Sequence, residues 1–308
     1  MKTVTTIKNI LAATDFSELA ANAIEVAIAE CKRQQAALHI LHVVENRLMI
    51  APPEANMASV YVLPQMEGDG NEKLNKLAAS IKDRHNIIVK TYLEFGNPAD
   101  AIRDKAIELK CDLIVLGTHG ASGFRNLFIG STAYNVIKNT TIPVLTIPGK
   151  IKIKDFKKIL FPIRAANGIM EKYGFIKPVI KKNEAELIIL GLSLSTEIFD
   201  IDDRKTELLK LGQSLGLNST AFKSTFHVCK NYAKKVLEIS RKEKADLIVI
   251  NATLDYTWNQ FFIGPYAQQI INHAKVPVLS IRTPDPVGPV KQPLKKDKTG
   301  VQPGVLSY

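Results

Sequence analysis

The sequence predicts an α/β protein made of two tandem copies of one unit, each a parallel sheet with helices on both faces. Three observations carry this. The 308 residues suit two domains of about 150 each. The chain also repeats itself. Residues 112–147, DLIVLGTHGASGFRNLFIGSTAYNVIKNTTIPVLTI, align without a gap with 246–281, DLIVINATLDYTWNQFFIGPYAQQIINHAKVPVLSI, at a constant offset of 134. Finally, uniformly apolar runs of strand length alternate with helical patterns, the signature of a parallel sheet buried on both faces.

Each element of the first unit has its own reason. Ile10–Thr14 is a short apolar strand. Ser17–Arg33 places Ala20, Ala23, Ile24, Ala27 and Ile28 at helical spacing. Leu38–Val44 is a second strand. Asn71–Arg84 is a helix with Leu74, Leu77, Ala78 and Ile81 on one face. Ile87–Phe95 is a third strand. Asn97 caps the next helix and Pro98 takes its first position, with Ile102, Ala106 and Leu109 facing inward. Leu113–Leu116 is a fourth strand, Gly130–Asn139 a helix and Ile142–Ile147 a fifth strand. The early parts of the two units align at an offset of 149: KNILAATDFS (8–17) on KKILFPIRAA (157–166), and AALHILHVV (36–44) on AELIILGLS (185–193). The difference of 15 falls after Val44. There the stretch Asn46–Gly70 reads as a packed excursion, with a flap over a ligand as the alternative. The boundaries follow: 1–150, 151–283, and a Pro-, Gly- and Lys-rich tail, 284–308, expected to be disordered.

The chemistry points to the fourth strand. It runs into Gly117-Thr118-His119-Gly120, and nine residues later Gly130, Ser131 and Thr132 open a helix. Glycines let a backbone approach a ligand closely. A helix N-terminus offers N–H groups and a positive dipole end to phosphate, and two hydroxyls stand beside it. A turn glycine with a helix cap explains Gly130–Ser131 alone, but not Gly117 and Gly120 at a strand's C-terminal end. The pattern is neither a P-loop nor a dinucleotide fingerprint. His119 reads as shaping the loop rather than as a catalyst. Arg125 reads as a phosphate contact or a solvated cation.

These features, with ATDFSE at Ala13–Glu18, LHVVE at Leu41–Glu45 and the closing IPVLTI strand, resemble the universal stress protein family over about 280 of the 308 residues. The resemblance implies two flavodoxin-like, Rossmann-like domains, each a five-stranded parallel sheet of order 3-2-1-4-5. The crevice then opens between strands one and four, at whose ends Asp15 and Gly117 lie. It also implies ATP as ligand (or AMP or ADP), with a divalent ion such as Mg2+ or Mn2+ near the phosphates. Ala13, Thr14 and Asp15 would lie beside the adenosine. Val43 would offer backbone to the adenine edge. Gly117, Thr118 and Gly120 would wrap the ribose and first phosphates, and Gly130, Ser131 and Thr132 the outer ones. Asp15 also reads as capping the first helix. Family members dimerise through their last strands. PVLTI and PVLSI are both intact here, so the two repeats are expected to form an intramolecular pseudo-dimer, with a homodimer as a further option.

The second unit has lost this chemistry. Asp15 becomes Arg164, Gly117 becomes Asn251 and Gly120 becomes Leu254. Gly264 survives, but Pro265 and Tyr266 replace Ser131 and Thr132. Proline removes an N–H and a hydroxyl from the anion site, and Leu254 would place a side chain where the ligand approaches. The expected function is a nucleotide-binding stress-response regulator with at most slow ATP hydrolysis. No triad, carboxylate dyad or metal-ligand spacing stands out. The alternatives are an adenine-nucleotide-using enzyme of the wider superfamily and a basic nucleic-acid-binding module. The net charge is +11, but residues 1–150 carry only +1 and the second half carries the rest. Its basic residues lack aromatic interleaving, which suits solubility or an acidic partner better than nucleic acid. No apolar run spans a membrane, no secretory leader is apparent, and Cys31, Cys111 and Cys229 form no pair. A cytoplasmic protein with buried thiols is expected.

Overall fold

The computed structural model describes residues 6–45, 56–118, 129–149, 151–152, 155–163, 169–194, 206, 210, 222–252, 254–255 and 262–282. The first unit runs β1 (Asn9–Thr14), α1 (Glu18–Gln34), β2 (Ala37–Val44), α2 (Asn56–Arg84), β3 (Val89–Phe95), α3 (Pro98–Glu108), β4 (Leu113–Gly117), α4 (Ser131–Asn139) and β5 (Val144–Ile147). The second runs β6 (Lys158–Ile163), α5 (Ile169–Asn183), β7 (Glu186–Leu194), β8 (Phe222–Cys229), α6 (Tyr232–Lys242), β9 (Leu247–Asn251), β10 (Leu254–Asp255), β11 (Phe262–Ile263), α7 (Pro265–His273) and β12 (Val278–Ile281). The expected tail, 284–308, lies outside the described residues.

The expected strand order is present twice, but in one sheet. Ten strands run β3-β2-β1-β4-β5-β12-β9-β6-β7-β8. Each half is parallel and ordered 3-2-1-4-5. The halves join where β5 meets β12 antiparallel, with Thr146 opposite Val278, Leu145 opposite Leu279 and Val144 opposite Ser280. Thr146 Oγ1 adds a hydrogen bond to the Val278 carbonyl at 3.2 Å. The two hydrophobic layers follow the sheet, not the repeat. One runs from Ile10, Leu38 and Leu145 to Leu279, Ile159 and Leu187. The other runs from Leu41, Ile114 and Val144 to Val278, Ile248 and Leu190.

The duplication reaches the backbone. Gln35 and Glu184, 149 apart, have φ of 57° and 50°. Lys110 and Lys244, 134 apart, have 50° and 55°. These left-handed residues end helices at matched places. The DLIV aspartates also match. Asp112 accepts the N–H groups of Lys8 and Asn9 at 2.7 and 3.0 Å, and Asp246 accepts those of Lys157 and Lys158 at 3.0 and 2.9 Å. Each carboxylate thereby ties the start of a first strand to the start of a fourth.

Helix α2 differs from expectation. It begins at Asn56 rather than Asn71, so 56–70 of the excursion is helical. Pro64, Gly68 and Gly70 argue against helix locally. Gly70 sits close to β2 and β3: a Cβ there would lie 2.9 Å from Leu93 Cδ1, at the end of a flexible side chain, and 3.6 Å from His42 Cδ2. Residues 46–55, and with them the flap reading, lie outside the described residues.

On one face α1 meets α5. Glu30, 1% exposed, accepts hydrogen bonds from Arg33 at 3.0 and 3.2 Å, Gln34 at 2.7 Å and Asn183 of the second repeat at 3.4 Å. A buried carboxylate needs such partners. Arg33 also pairs with Asp155 and lies over Phe156. The three cysteines are free and buried. Burial, with Asp112 nearby, raises the Cys111 thiol to about 12, and burial pushes Cys31 up further. Both remain inert thiols at neutral pH.

Two predictions follow from this packing. Val144 and Val278 are each 1% exposed, so Val144→Asp or Val278→Asp buries a carboxylate at the junction and should cost about 3 kcal/mol or more. Denaturant midpoints equal to wild type would exclude the β5–β12 pairing. The second concerns His39, buried between Tyr92 Oη (3.0 Å from Nδ1) and Asn9 Oδ1 (3.2 Å from Nε2). Burial, with Lys90 adding to it, holds this imidazole below its usual 6.5. The unfolded chain therefore binds a proton that the folded chain refuses, and stability falls as pH drops below about 6.5. His39→Gln should flatten urea stability between about pH 5 and 6.5. His227, also lowered by burial, leaves part of the slope.

Candidate functional site

At the end of β1 the chain makes two local turns. Thr14 Oγ1 accepts the Phe16 N–H at 2.9 Å, and Asp15 Oδ1 accepts the Ser17 N–H at 3.0 Å. Phe16 adopts a φ of 60°. Ser17, not Asp15, is the N-cap of α1, with its side chain accepting from Ala20 N–H. Asp15 supports the cap one step earlier and stays exposed at the strand's end.

This turn has a consequence for β2. In a parallel ladder alternate residues bond to alternate neighbours. Ala37 N–H bonds to β1, and Leu38 N–H and Val44 C=O bond toward β3. By alternation Val43 faces β1. Pairing there ends at Thr14 opposite His42. The next donor, Phe16 N–H, is turned onto Thr14 instead. The Val43 carbonyl is left pointing past the end of β1.

On the other side, β4 ends at Gly117, paired with Ile147. Thr118 N–H bonds Ile147 C=O at 3.0 Å, and Thr118 C=O accepts Gly130 N–H at 2.7 Å. Strand end and helix start are thereby fixed to each other. Gly130 is the N-cap of α4 (φ −60°, ψ 148°) and supplies no side-chain cap. The first helical bond runs from Tyr134 N–H to Gly130 C=O. The N–H groups of Ser131, Thr132 and Ala133 are thus left at the open first turn, a ready anion-binding end.

Between these ends lies a cavity of about 370 Å³, within the range of small-molecule sites. It sits at the reversal of strand order between β1 and β4, where open α/β sheets bind ligands. Nine expected residues line it: Ala13, Thr14, Asp15, Val43, Gly117, Thr118, Gly130, Ser131 and Thr132. His119, Gly120 and Arg125 lie outside the described residues. The sequence reading missed the apolar floor of Leu41, Leu116 and Ile102, the wall at Pro98, and Glu45 at the rim. The apolar ends of the predicted strands and the cap of α3 were the available signal. Among the described residues no Lys or Arg lines the cavity, and no group of three His, Cys, Asp or Glu side chains is placed to hold a metal.

The universal stress protein family profile matches residues 6–148 and 203–282. The chain belongs to the universal stress protein family. It is 30% identical over 144 residues to Universal stress protein YxiE of Bacillus subtilis, covering 44% of this chain and 96% of that one. A universal stress protein of Methanocaldococcus jannaschii is 32% identical over 142 residues, covering 46% and 81%. In fold, the crystal structure of a universal stress protein from Archaeoglobus fulgidus superposes with a TM-score of 0.72 at 18% identity, covering 92% of this chain and 99% of that one. The family match skips 149–202, although β6, α5 and β7 keep the fold there.

In the second repeat of this universal stress protein the backbone persists while the residues at the matched positions change. Gly264 has φ −53° and ψ 147°, close to Gly130, but Pro265 follows it. Asn231 caps α6 as Asn97 caps α3. At the places of Pro98 and Thr132 stand Tyr232 and Tyr266, edge-to-face with ring centroids 6.4 Å apart. In the stretch that matches the glycine loop, β10 and β11 pair antiparallel, Leu254 opposite Ile263. Arg164 lies outside the described residues. The tyrosine pair stabilises the second repeat directly. A double-mutant cycle of Tyr232→Ala and Tyr266→Ala should give a coupling of about 0.5–1.5 kcal/mol in urea unfolding. Strict additivity would place the rings out of contact.

Proposed function

We propose that this universal stress protein binds an adenine nucleotide, ATP foremost, in the first repeat only, and acts as a regulator through the difference between its loaded and empty states. The observation that carries the reading is the pairing of two ends in one cavity. The open first turn of α4, with Ser131 and Thr132, suits phosphate. The Val43 carbonyl and the Asp15 carboxylate, at the other end of the cavity, suit the donor groups of a base and ribose. Leu41, Ile102 and Leu116 suit the faces of the base.

Phosphate would be held by backbone N–H groups and hydroxyls, with no basic side chain among the described lining residues. A divalent ion fits only as a companion of the phosphates. Asp15 and the hydroxyls of Ser131 and Thr132 are hard oxygen donors of the kind Mg2+ accepts, but they form no all-protein cage. AMP and ADP share the base and ribose contacts and differ in how much of the α4 turn they use. Asp15 and Glu45 are the carboxylates among the described lining residues, and the reading does not require that either act as a base for hydrolysis.

The test grafts the second repeat's residues onto the first. Ser131→Pro with Thr132→Tyr removes one N–H and two hydroxyls while keeping a good helix start. Isothermal titration of ATP into the full chain should show binding weakened by about 10- to 100-fold, the cost of losing a hydrogen bond to a charged group. Unchanged affinity would overturn the reading.

A further inference from the structure

The start of α4 is anchored twice, and the two anchors come from different repeats. One belongs to the first repeat, where Thr118, bonded to Ile147, accepts the Gly130 N–H. The other does not. Ile129 N–H donates to Asn272 Oδ1 at 2.7 Å, across 143 positions of sequence. Asn272 is on α7 of the second repeat and is half-buried. Ile129 directly precedes the Gly130 cap, so this bond fixes the point from which the open N–H groups of α4 are aimed.

The contact is one-sided. The pseudo-twofold counterparts of Ile129 and Asn272 are Ile263 and Lys138. β11, which ends at Ile263, lies against α4, as symmetry requires. A lysine side chain has donors only and cannot accept an N–H. The anchor runs from the degenerate repeat to the repeat that keeps the glycine turn, and the residue matched to Asn272, Lys138, offers no side-chain acceptor in the other direction. Arg282 of the second repeat adds a hydrogen bond to the Lys138 carbonyl, in the last turn of the same helix α4.

We propose that Asn272 is a positioning residue for the phosphate-binding turn, so that the second repeat completes the site of the first. This rests on reading the cavity as a nucleotide site. A phosphate site made of backbone donors depends on their aim, and a turn free to shift loses several donors at once. Adenosine, which has no phosphate, does not use the turn.

The test uses the full chain with Asn272→Leu, nearly the same size with no acceptor, and Asn272→Asp, which restores the acceptor. Titrations at about 0.5 M salt screen the charge that Asp adds. The Leu variant should bind ATP about tenfold more weakly and adenosine within twofold of wild type, and the Asp variant should recover most of the ATP affinity. Amide exchange on the unliganded chain gives a second readout: the Ile129 N–H should exchange faster in the Leu variant and stay protected in the Asp variant. Unchanged ATP affinity in the Leu variant, or ATP and adenosine weakening together, would overturn the proposal. Unchanged Ile129 exchange would overturn it too. If the wild-type chain bound neither ligand, the nucleotide reading would fall and this role with it, while Ile129 exchange would still report whether Asn272 holds the turn.

Discussion

Strands β5 and β12 are four residues each, and apart they would be two exposed sheet edges. An unpaired edge leaves a row of N–H and C=O groups without partners and invites association with other chains. Pairing them antiparallel satisfies both rows and merges two five-stranded sheets into one. The rest of the molecule follows from that junction. Each apolar layer becomes continuous across both repeats. On one face the junction brings α1 beside α5, where Glu30 finds Asn183. On the other it brings α7 to the end of the glycine turn, where Asn272 finds Ile129.

The two repeats separate structure from chemistry. Residues that set the backbone are kept: the strand-tying Asp112 and Asp246, the capping Asn97 and Asn231, and the left-handed helix ends. Residues that would face a ligand are not, since Pro98, Ser131 and Thr132 give way to Tyr232, Pro265 and Tyr266. A site made largely of backbone is easily lost, because one proline or one bulky ring removes or blocks donors without disturbing the helix that carries them. The second repeat can then serve as a scaffold whose edge and α7 support the first. The net charge of +11 belongs mostly to this second half, and the cavity has no basic residue among its described lining.

Much of this was legible in the chain. The repeat, the apolar strands, the Asn97–Pro98 helix start and the Gly117–Gly130 turn are local patterns, and local patterns set torsions and periodicity. They also placed Asp15, Val43, Gly117 and Ser131 near one crevice, because ligands gather where strand order reverses. The early start of α2 was not legible. Pro64, Gly68 and Gly70 oppose helix locally, and what Gly70 packs against, Leu93, is on a strand more than twenty residues away. The β10–β11 pairing was equally hidden, since two-residue strands carry no period to read.

The sequence by itself determined most of the elements of the first repeat, which repeat keeps the glycine turn and nine of the residues that line the cavity, because caps, glycines and apolar spacing act within a few residues. Only the tertiary structure decided what each repeat lends the other. Glu30 is an ordinary helical glutamate until α5 covers it, and Asn272 an ordinary helical asparagine until the β5–β12 junction brings it to Ile129. Such contacts depend on register and the approach of faces more than a hundred residues apart, which local pattern does not encode.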